Sequence, residues 1–270
     1  MTHFAPVSPL SGLRRLAKTP EALGTYQLLI APIILHDKKG YRRFFLEEQE
    51  GRQHVIVDNG VIEQGESVDI EDIYEAAHTV GAQLIVLPDT IDDGYATARQ
   101  AERYLPALRR LDSSMDTMGV VQGTTFEECL ECAEKLVSLG VDWLGVPRGL
   151  TKNLKSRVPL VITLSDEHGL PMHVLGFSDN IADDLMAAAC HRLVRGMDAA
   201  TPGWAPQRLP VRPPEDSRYL GRRPKDFWLS QLAVHAEENI LTVRRWLNAA
   251  QTARTDEDEL AGLMGSPRPL

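Results

Sequence analysis

Residues 118–146 have the sequence MGVVQGTTFEECLECAEKLVSLGVDWLGV, and this stretch predicts a parallel α/β fold. Short apolar runs at 118–122 and 142–146 predict two buried strands. Between them, residues 125–139 repeat apolar side chains at helical spacing, and Thr125 with Glu128 has the form of a capping box. A strand, a helix and a second strand in this order form the unit from which parallel sheets are built.

The same alternation continues on both sides of this stretch. Further strands are predicted at residues 28–33, 54–58, 84–88, 173–177 and 194–198, and further helices near 68–81, 94–110 and 180–193. The apolar stretch 158–164 fits a strand or a helix, and Pro159 in a first turn favours the helix. With a weak eighth strand around Phe4–Val7, the count suits a (β/α)8 barrel slightly better than an open doubly wound sheet. We therefore predict a TIM-like (β/α)8 barrel with a C-terminal helix.

The composition of the chain changes after the predicted barrel. Six prolines between Pro202 and Pro224 indicate an extended, irregular segment, and a helix from about Lys225 to Ala250 has apolar residues that can pack on the barrel. The chain is thus predicted to have three parts. They are a barrel over residues 1–205, a Pro-rich basic segment with a packing helix over 206–251, and a disordered acidic tail over 252–270.

Composition excludes several classes of protein. Of the 270 residues 43% are hydrophobic, but no apolar run approaches the roughly 18 residues that a membrane span needs, and we expect no signal peptide. Three cysteines cannot build a disulfide framework in a chain of this length, so we expect a cytoplasmic protein. The net charge of −9 argues against non-specific attraction to nucleic acid, so any such site must be local.

Polar residues follow several of the predicted strands. Asp58, Asp89 and Asp198 each end or follow an apolar run, as do Gln122 and Arg148. In a (β/α)8 barrel the carboxyl ends of the strands meet at the active-site face, so the three carboxylates are expected to converge. The alternative is that each aspartate caps the next helix or turn. Two carboxylates that face a sugar carbon fit substitution at an anomeric centre, whereas a metal-dependent hydrolase is a competing interpretation.

The sequence carries no cofactor motif. Neither GxGxxG after the first strand nor GxxxxGK[ST] occurs, and the histidines form neither HxH nor HExxH. Cys129 and Cys132 lie on one predicted helix and lack the knuckle turn of structural zinc sites, so packing is the favoured interpretation over zinc with Cys190 and His191. We therefore predict no cofactor and no metal.

Six short motifs at the strand ends resemble those of a known superfamily. They are DNG (Asp58–Gly60), LPD (Leu87–Asp89), VVQG (Val120–Gly123), GVPRG (Gly145–Gly149), HVLG (His173–Gly176) and GMDAATP (Gly196–Pro202). In this order they resemble the guanine transglycosylase superfamily over roughly residues 25 to 205. That superfamily includes the tRNA-guanine transglycosylases and the enzymes that insert 7-deazaguanines into phage and bacterial DNA. The PRG and DAATP variants are similar to the DNA-modifying branch.

The resemblance implies a role for each matching residue. Asp198 would be the nucleophile that forms a covalent intermediate with the nucleoside, and Asp58 the general acid/base. The base-binding residues would be Asp89, Gln122, Gly123, Gly145, Val146, Leu175 and Gly176. The implied enzyme is a pentosyltransferase that exchanges guanine in DNA for a preQ0-type 7-deazaguanine. A tRNA substrate is less favoured, because residues 199–270 contain no cysteine for the zinc segment of the tRNA enzymes.

Local basic clusters indicate where nucleic acid would bind. Residues 148–157 hold four basic residues and no acid, and residues 192–225 hold eight basic residues against three acidic ones. The predicted nucleic-acid contacts are Arg148, Lys152, Lys155, Arg157, Arg208, Arg212, Arg222 and Arg223. An ordinary solvated basic surface would have the same composition.

Three alternatives stay open at this point: a tRNA-guanine transglycosylase, a non-catalytic nucleic-acid-binding subunit of such an enzyme, and a glycosidase-like hydrolase of free nucleosides. A homodimer is compatible with the sequence, and a phage-encoded protein would act in the host cytoplasm.

Overall fold

The barrel is built from eight parallel strands. The computed structural model describes residues 1–49 and 53–263, with side chains described up to residue 255. The strands are β1 (His3–Pro6), β2 (Tyr26–Ile30), β3 (His54–Asp58), β4 (Leu84–Val86), β5 (Asp116–Val120), β6 (Trp143–Pro147), β7 (Met172–Leu175) and β8 (Val194–Ala199). Their order is β1-β8-β7-β6-β5-β4-β3-β2, and β1 lies beside β2 where the ends of the sheet meet. The sheet is a nearly closed (β/α)8 barrel, which confirms the predicted fold class.

Helices cover the outside of the barrel. In the described part of the chain they are α1 (Leu10–Leu16), α2 (Pro20–Leu23), α3 (Ala31–His36), α4 (Lys38–Arg42), α5 (Val61–Gln64), α6 (Ile70–Val80), α7 (Gly94–Leu111), α8 (Phe126–Leu139), α9 (Thr151–Leu154), α10 (Val158–His168), α11 (Ile181–Ala189), α12 (Thr201–Trp204) and α13 (Ala236–Leu263). A π-helix over Arg43–Glu48 continues α4. Their apolar faces and the outward side chains of the strands form one large core.

Local signals placed most of these elements correctly. Thr125 caps α8 through the predicted capping box with Glu128, and α10 begins with Pro159 in its first turn. The strand predicted at 28–33 is wrong at its end, because Pro32 lies in the first turn of α3 and β2 stops at Ile30.

The C-terminal part differs from the prediction. Residues 206–235 are irregular apart from short 3-10 turns, and the last helix begins at Ala236 rather than Lys225. Its buried residues Ile240, Val243 and Leu247 pack against the barrel core. The helix continues to Leu263, so the part of the predicted disordered tail from 252 to 263 is helical, and residues 264–270 lie outside the described residues.

The alternation of side chains along each strand decides which residues enter the barrel. The interior apolar cluster consists of Ala5, Val7, Tyr26, Leu28, Ile30, Ile56, Leu84, Val86, Met118 and Val120. At the amino-terminal end of the strands, Tyr26 stacks with His3, His54 and His173. Since every second residue points inward, Asp58 and Asp198 face the interior at the opposite, carboxyl-terminal end.

Gly196 of β8 faces the ring of Tyr26 across the barrel. A methyl group at Gly196 would overlap the Tyr26 ring and hydroxyl, which are already enclosed by other rings. We expect Gly196→Ala to lower the free energy of unfolding by about 1–3 kcal/mol, the usual effect of overpacking a core. Urea unfolding measures this loss. Gly149→Ala is the matched control, because no atom lies within 4 Å of its added methyl, and an equal loss in both variants would contradict the overlap.

Candidate active site

A large cavity opens at the carboxyl-terminal end of the barrel. Its volume is about 650 Å³, within the usual range for small-molecule sites. Among its lining residues are six of the residues predicted to act on the substrate: Asp58, Asp89, Gln122, Leu175, Gly176 and Asp198. Apolar side chains, such as Leu28, Phe177 and Trp204, supply part of the wall. The structure therefore brings carboxylates from three distant parts of the chain into one cavity, and their roles stay predictions.

Asp198 is held by two neighbours on β7 and the loop after it. Its Oδ1 lies 3.0 Å from His173 Nε2 and accepts a hydrogen bond from the Gly176 N–H at 3.1 Å. On the other side of the imidazole, Nδ1 lies 2.9 Å from the Tyr26 hydroxyl. Burial first, and then the charge of Asp198, raise the pKa of Tyr26, so the hydroxyl keeps its proton and can donate a hydrogen bond to Nδ1.

His173 links the Tyr26 hydroxyl to Asp198. With the ring proton on Nε2, the imidazole donates a hydrogen bond to Asp198 and accepts one from the Tyr26 hydroxyl at Nδ1. Oδ1 of Asp198 then has two hydrogen-bond donors, His173 and the Gly176 N–H. Both described hydrogen bonds end on Oδ1, which leaves Oδ2 for a ligand in the cavity.

Asp58 lies at the end of β3 with a different environment. Its Oδ1 accepts a hydrogen bond from the Gly60 N–H at 2.8 Å, and Gly60 adopts the left-handed conformation that this turn requires. Burial raises the pKa of the Asp58 carboxyl well above its usual range, and the negative charges of Glu63, Asp89 and Asp198 raise it further against the Gly60 bond. The Asp58 carboxyl therefore tends to keep a proton that an ordinary aspartate would release.

The elevated pKa of Asp58 depends in part on Asp198. Replacing Asp198 with Asn removes a negative charge that raises it, so we expect the pKa of Asp58 to fall in Asp198→Asn. The carboxyl carbon of Asp58, followed by ¹³C NMR during a pH titration, reports this change. Asp166→Asn on the exposed face of α10 is the control and should leave the titration unchanged. A pKa of Asp58 that is the same in wild type and Asp198→Asn would contradict electrostatic coupling between the two carboxyls.

Asp89 is fixed by two amide side chains. Asn59 Nδ2 donates to Asp89 Oδ1 and Gln122 Nε2 donates to Asp89 Oδ2, each at 2.6 Å. Burial raises the pKa of Asp89, and these two hydrogen bonds oppose that rise. The remaining lone pairs of the carboxyl and the Gln122 amide form a rigid polar edge, suited to a planar ligand group with N–H or O–H donors.

Three predicted base-binding residues lie away from the cavity surface. Val146 is fully buried and points outward into the helix layer, because inward and outward positions alternate along β6. Gly145 packs beneath Leu175 and Met118, and Gly123 packs against the start of α8. None of the three is among the residues that line the cavity in the described chain.

The predicted nucleic-acid contacts do not form one surface. Arg157 is a correction, since its guanidinium is fully buried and paired with Asp184 at 2.6 Å. Arg208 pairs with Glu238, while Lys152, Lys155 and Arg212 are exposed away from the cavity. The three other predicted contacts line the cavity mouth: Arg148, Arg222 and Arg223.

Sequence reasoning missed the residues that orient the carboxylates. His173 and Asn59 lie in the HVLG and DNG motifs without a predicted role, and Tyr26 lies in none of the motifs. The sequence did contain a signal, because Tyr26 and His173 lie at inward-facing positions of their strands, as do their apolar neighbours Leu28 and Leu175. A polar ring in an otherwise apolar interior needs a hydrogen-bond partner inside the barrel.

The described residues contain neither a metal centre nor a membrane-spanning helix. Among the described residues, no group of three or more His, Cys, Asp or Glu side chains is placed to hold a metal ion. In the same part of the chain, no helix combines the length and the apolar character needed to cross a membrane. Cys129 and Cys132 lie in the core, where burial raises their pKa values to about 12 and about 11.

Comparisons with known proteins give similarity at the level of fold. No family model matches the sequence. No curated protein matches it either. The BexX/CysO complex of Amycolatopsis orientalis is similar with a TM-score of 0.52 at 12% identity, over 100% of this chain and 94% of that chain.

Two structures from Burkholderia cenocepacia J2315 are also similar. A putative lyase/mutase has a TM-score of 0.48 at 15% identity, over 74% of this chain and 76% of that one. An HpcH/HpaI aldolase/citrate lyase family protein has a TM-score of 0.48 at 11% identity, over 73% and 88% of the two chains. At these identities the shared feature is the fold.

These findings contradict the guanine transglycosylase assignment. The similar structures reported above are described as other kinds of protein, and no family model supports the six motifs. The predicted pentosyltransferase activity, the 7-deazaguanine substrate, the role in DNA modification and the DNA partner are corrected accordingly. The tRNA and binding-subunit alternatives gain no support. Short Asp- and Gly-containing motifs at strand ends reflect what the mouth of a barrel needs, and many unrelated barrels meet that need.

Proposed function

We propose that this chain is an acid–base enzyme of the lyase type, which eliminates a leaving group from a small polar substrate bound in the barrel mouth. The observation that carries the proposal is a pair of carboxyls held in different environments in one cavity. Burial raises the pKa of Asp58, so its carboxyl tends to keep a proton, whereas Asp198 is held through Oδ1 by His173 and the Gly176 N–H, which leaves Oδ2 for a ligand. Two carboxyls in different environments are an arrangement in which one can act as the acid and the other as the base of a reaction.

The positions of the two strands support a reaction at two different substrate atoms. Asp58 is on β3 and Asp198 is on β8, with β2 and β1 between them in the sheet. The two carboxyls therefore approach a bound molecule from different sides of the cavity. A base on one side and an acid on the other suit the removal of a proton from one atom and the protonation of a leaving group on the next.

The step balances with the residues of this chain. Asp198 Oδ2 takes a proton from a carbon made acidic by a neighbouring carbonyl, and the electron pair of the C–H bond forms a carbon–carbon double bond. The adjacent carbon–oxygen bond breaks, and the departing oxygen takes the proton of Asp58. Asp198 is then neutral and Asp58 charged, and exchange with water at the open mouth restores both.

The Asp89 edge supports recognition of the substrate rather than proton transfer. Both of its oxygens are already bound by Asn59 and Gln122, so the carboxyl cannot rotate to follow a reacting atom. A fixed acceptor of this kind orients a substrate group that carries N–H or O–H donors.

The three free cysteines agree with our further proposal of a cytoplasmic location.

Incubation with a mixture of small metabolites in ¹⁸O-labelled water tests the proposal. Mass spectrometry should reveal one compound that is consumed by the wild-type chain and a product that lacks the leaving group and carries no ¹⁸O at the cleaved carbon. Asp198→Asn should leave that compound intact, and Asp166→Asn should consume it at the wild-type rate. A product that contains ¹⁸O at the cleaved carbon would instead establish hydrolysis and contradict the lyase proposal.

A further inference from the structure

The cavity has two zones of opposite charge. Its floor holds Asp58, Asp89 and Asp198 at the ends of the strands. Its mouth is lined by four arginines, which come from the β6–α9 connection and from the irregular segment after α12: Arg148, Arg218, Arg222 and Arg223. Two acidic residues outside the floor, Glu63 and Asp179, also line the cavity. The four arginines outnumber them, so a ligand that enters the barrel passes net positive charge before it reaches the carboxyls at the strand ends.

Two of the four arginines are neutralised within the chain. Arg218 forms a two-pronged ion pair with Asp216, with its shorter contact at 2.7 Å. Arg223 pairs with Glu63, also at 2.7 Å, and its guanidinium lies over the Trp228 ring. These two side chains shape the mouth but have their strongest donors already in use.

Arg148 and Arg222 are the remaining cations of the mouth. Within the described residues neither forms an ion pair, and both are exposed. The hydrogen bond of Arg148 to the Phe177 carbonyl is long, at 3.5 Å. Both guanidiniums thus keep most of their donors for a ligand.

The stem of Arg148 is positioned next to the proposed base. Gly176 has a φ of +70°, and a Cβ at this residue would come within 3.0 Å of Arg148 Cδ. The absent side chain of Gly176 lets Arg148 pass directly over the loop whose N–H binds Asp198. The guanidinium is therefore held on the wall of the same cavity rather than on a separate surface.

We infer that the substrate is a small anion whose carboxylate or phosphate group is bound at the mouth by Arg148 and Arg222. This inference rests on the proposed function for the site, although its binding step does not require turnover. Guanidinium groups bind such oxyanions with two parallel hydrogen bonds, which fixes orientation as well as position. The acidic floor repels the anionic end, so the neutral end of the molecule points toward Asp58 and Asp198.

Calorimetric titration of the full chain with inorganic phosphate, and separately with malonate, tests this inference. We expect saturable binding of at least one probe with one site per chain, and the tighter probe distinguishes a phosphate from a carboxylate substrate. Arg148→Gln and Arg222→Gln should each weaken that binding about tenfold, which corresponds to about 1.4 kcal/mol. Arg212→Gln is the matched control, because Arg212 is exposed on the same irregular segment but does not line the cavity.

The outcomes separate this inference from the proposed function. Absence of saturation by both probes, wild-type affinity in the Arg148 and Arg222 variants, or an equal loss in Arg212→Gln would each overturn it. Asp198→Asn should bind the probe at least as tightly as wild type, since a negative charge is removed from the floor. Anion binding with no turnover of any metabolite would leave the anion site established and the lyase proposal contradicted.

Discussion

Replacing Arg157 with Met is expected to lower the free energy of unfolding by about 3–5 kcal/mol, the usual effect of breaking a buried ion pair from one side. The Arg157 guanidinium and the Asp184 carboxyl are both fully buried and lie 2.6 Å apart. Methionine fills much of the space but leaves the charge of Asp184 without its partner. Urea unfolding measures the loss, and a fall in melting temperature of about 2–4 °C per kcal/mol should accompany it.

The same substitution removes the hydrogen bonds that hold the loop after β7. Arg157 donates to the carbonyls of Val146, Leu175 and Gly176 at 2.9–3.0 Å. The Gly176 N–H in turn binds Asp198. We therefore expect Arg157→Met to loosen the proposed base as well as the fold, although the side chain lies outside the cavity.

The pH dependence of the stability loss tests whether the unpaired charge of Asp184 causes it. Burial raises the pKa of Asp184, and Arg157 opposes that rise, so the pKa of Asp184 increases further in the variant. A carboxyl whose pKa is raised in the folded state destabilises that state as pH increases. The loss of unfolding free energy in Arg157→Met, relative to wild type, should therefore be larger at pH 8 than at pH 5. Adding Asp184→Asn should recover roughly 1 kcal/mol or more, because it removes the unpaired charge. A deficit that is independent of pH and unchanged in the double variant would show that lost packing, not charge, is responsible.

Asp198→Asn is expected to reduce turnover of the substrate by about 10³-fold or more, with little change in stability. Removal of a general base commonly lowers the rate by about 10²–10⁴-fold. Asparagine keeps the Oδ1 acceptor for His173 and for the Gly176 N–H, so the side chain should keep its place. The measurement is the rate constant for the compound identified by the metabolite experiment, together with urea unfolding of the same sample.

The comparison with His173→Gln separates the base from the residue that positions it. The glutamine amide can still donate to Asp198, but its donor and acceptor do not have the fixed spacing of the two ring nitrogens that contact Asp198 and Tyr26, so a smaller loss of activity is expected than for Asp198→Asn. Activity of Asp198→Asn within a few fold of wild type would contradict its role as the base.

Much of the site could be located from strand ends alone. Asp58, Asp89, Gln122 and Asp198 follow apolar runs, and parallel strands bring their carboxyl ends to one face of a barrel. What could not be predicted was the environment of each carboxyl. Gly60 binds Asp58 from two residues away, but His173 contacts Asp198 from β7, and Gln122 donates to Asp89 from the loop after β5.

The positions of the basic residues, unlike those of the carboxylates, could not be predicted from the sequence. Arg157 is one of four basic residues within residues 148–157, and this pattern is typical of a charged surface. The structure instead buries its side chain completely. Nothing local distinguishes it, because its partner Asp184 is 27 residues away. Charge counts along a sequence therefore did not establish a nucleic-acid surface. They indicated the region that holds the arginines of the cavity mouth, but not which of these arginines form ion pairs.

The sequence by itself determined the alternation of strands and helices, the capping of α8 and the two-residue alternation along β3 and β8 that points Asp58 and Asp198 into the barrel. These depend on hydrophobic periodicity and local hydrogen bonds, which a single stretch of chain contains. Only the tertiary structure decided which cations are buried, which are free at the mouth, and how His173 and Tyr26 hold Asp198. Burial and electrostatic coupling act through space between residues far apart in the chain, so no local pattern records them.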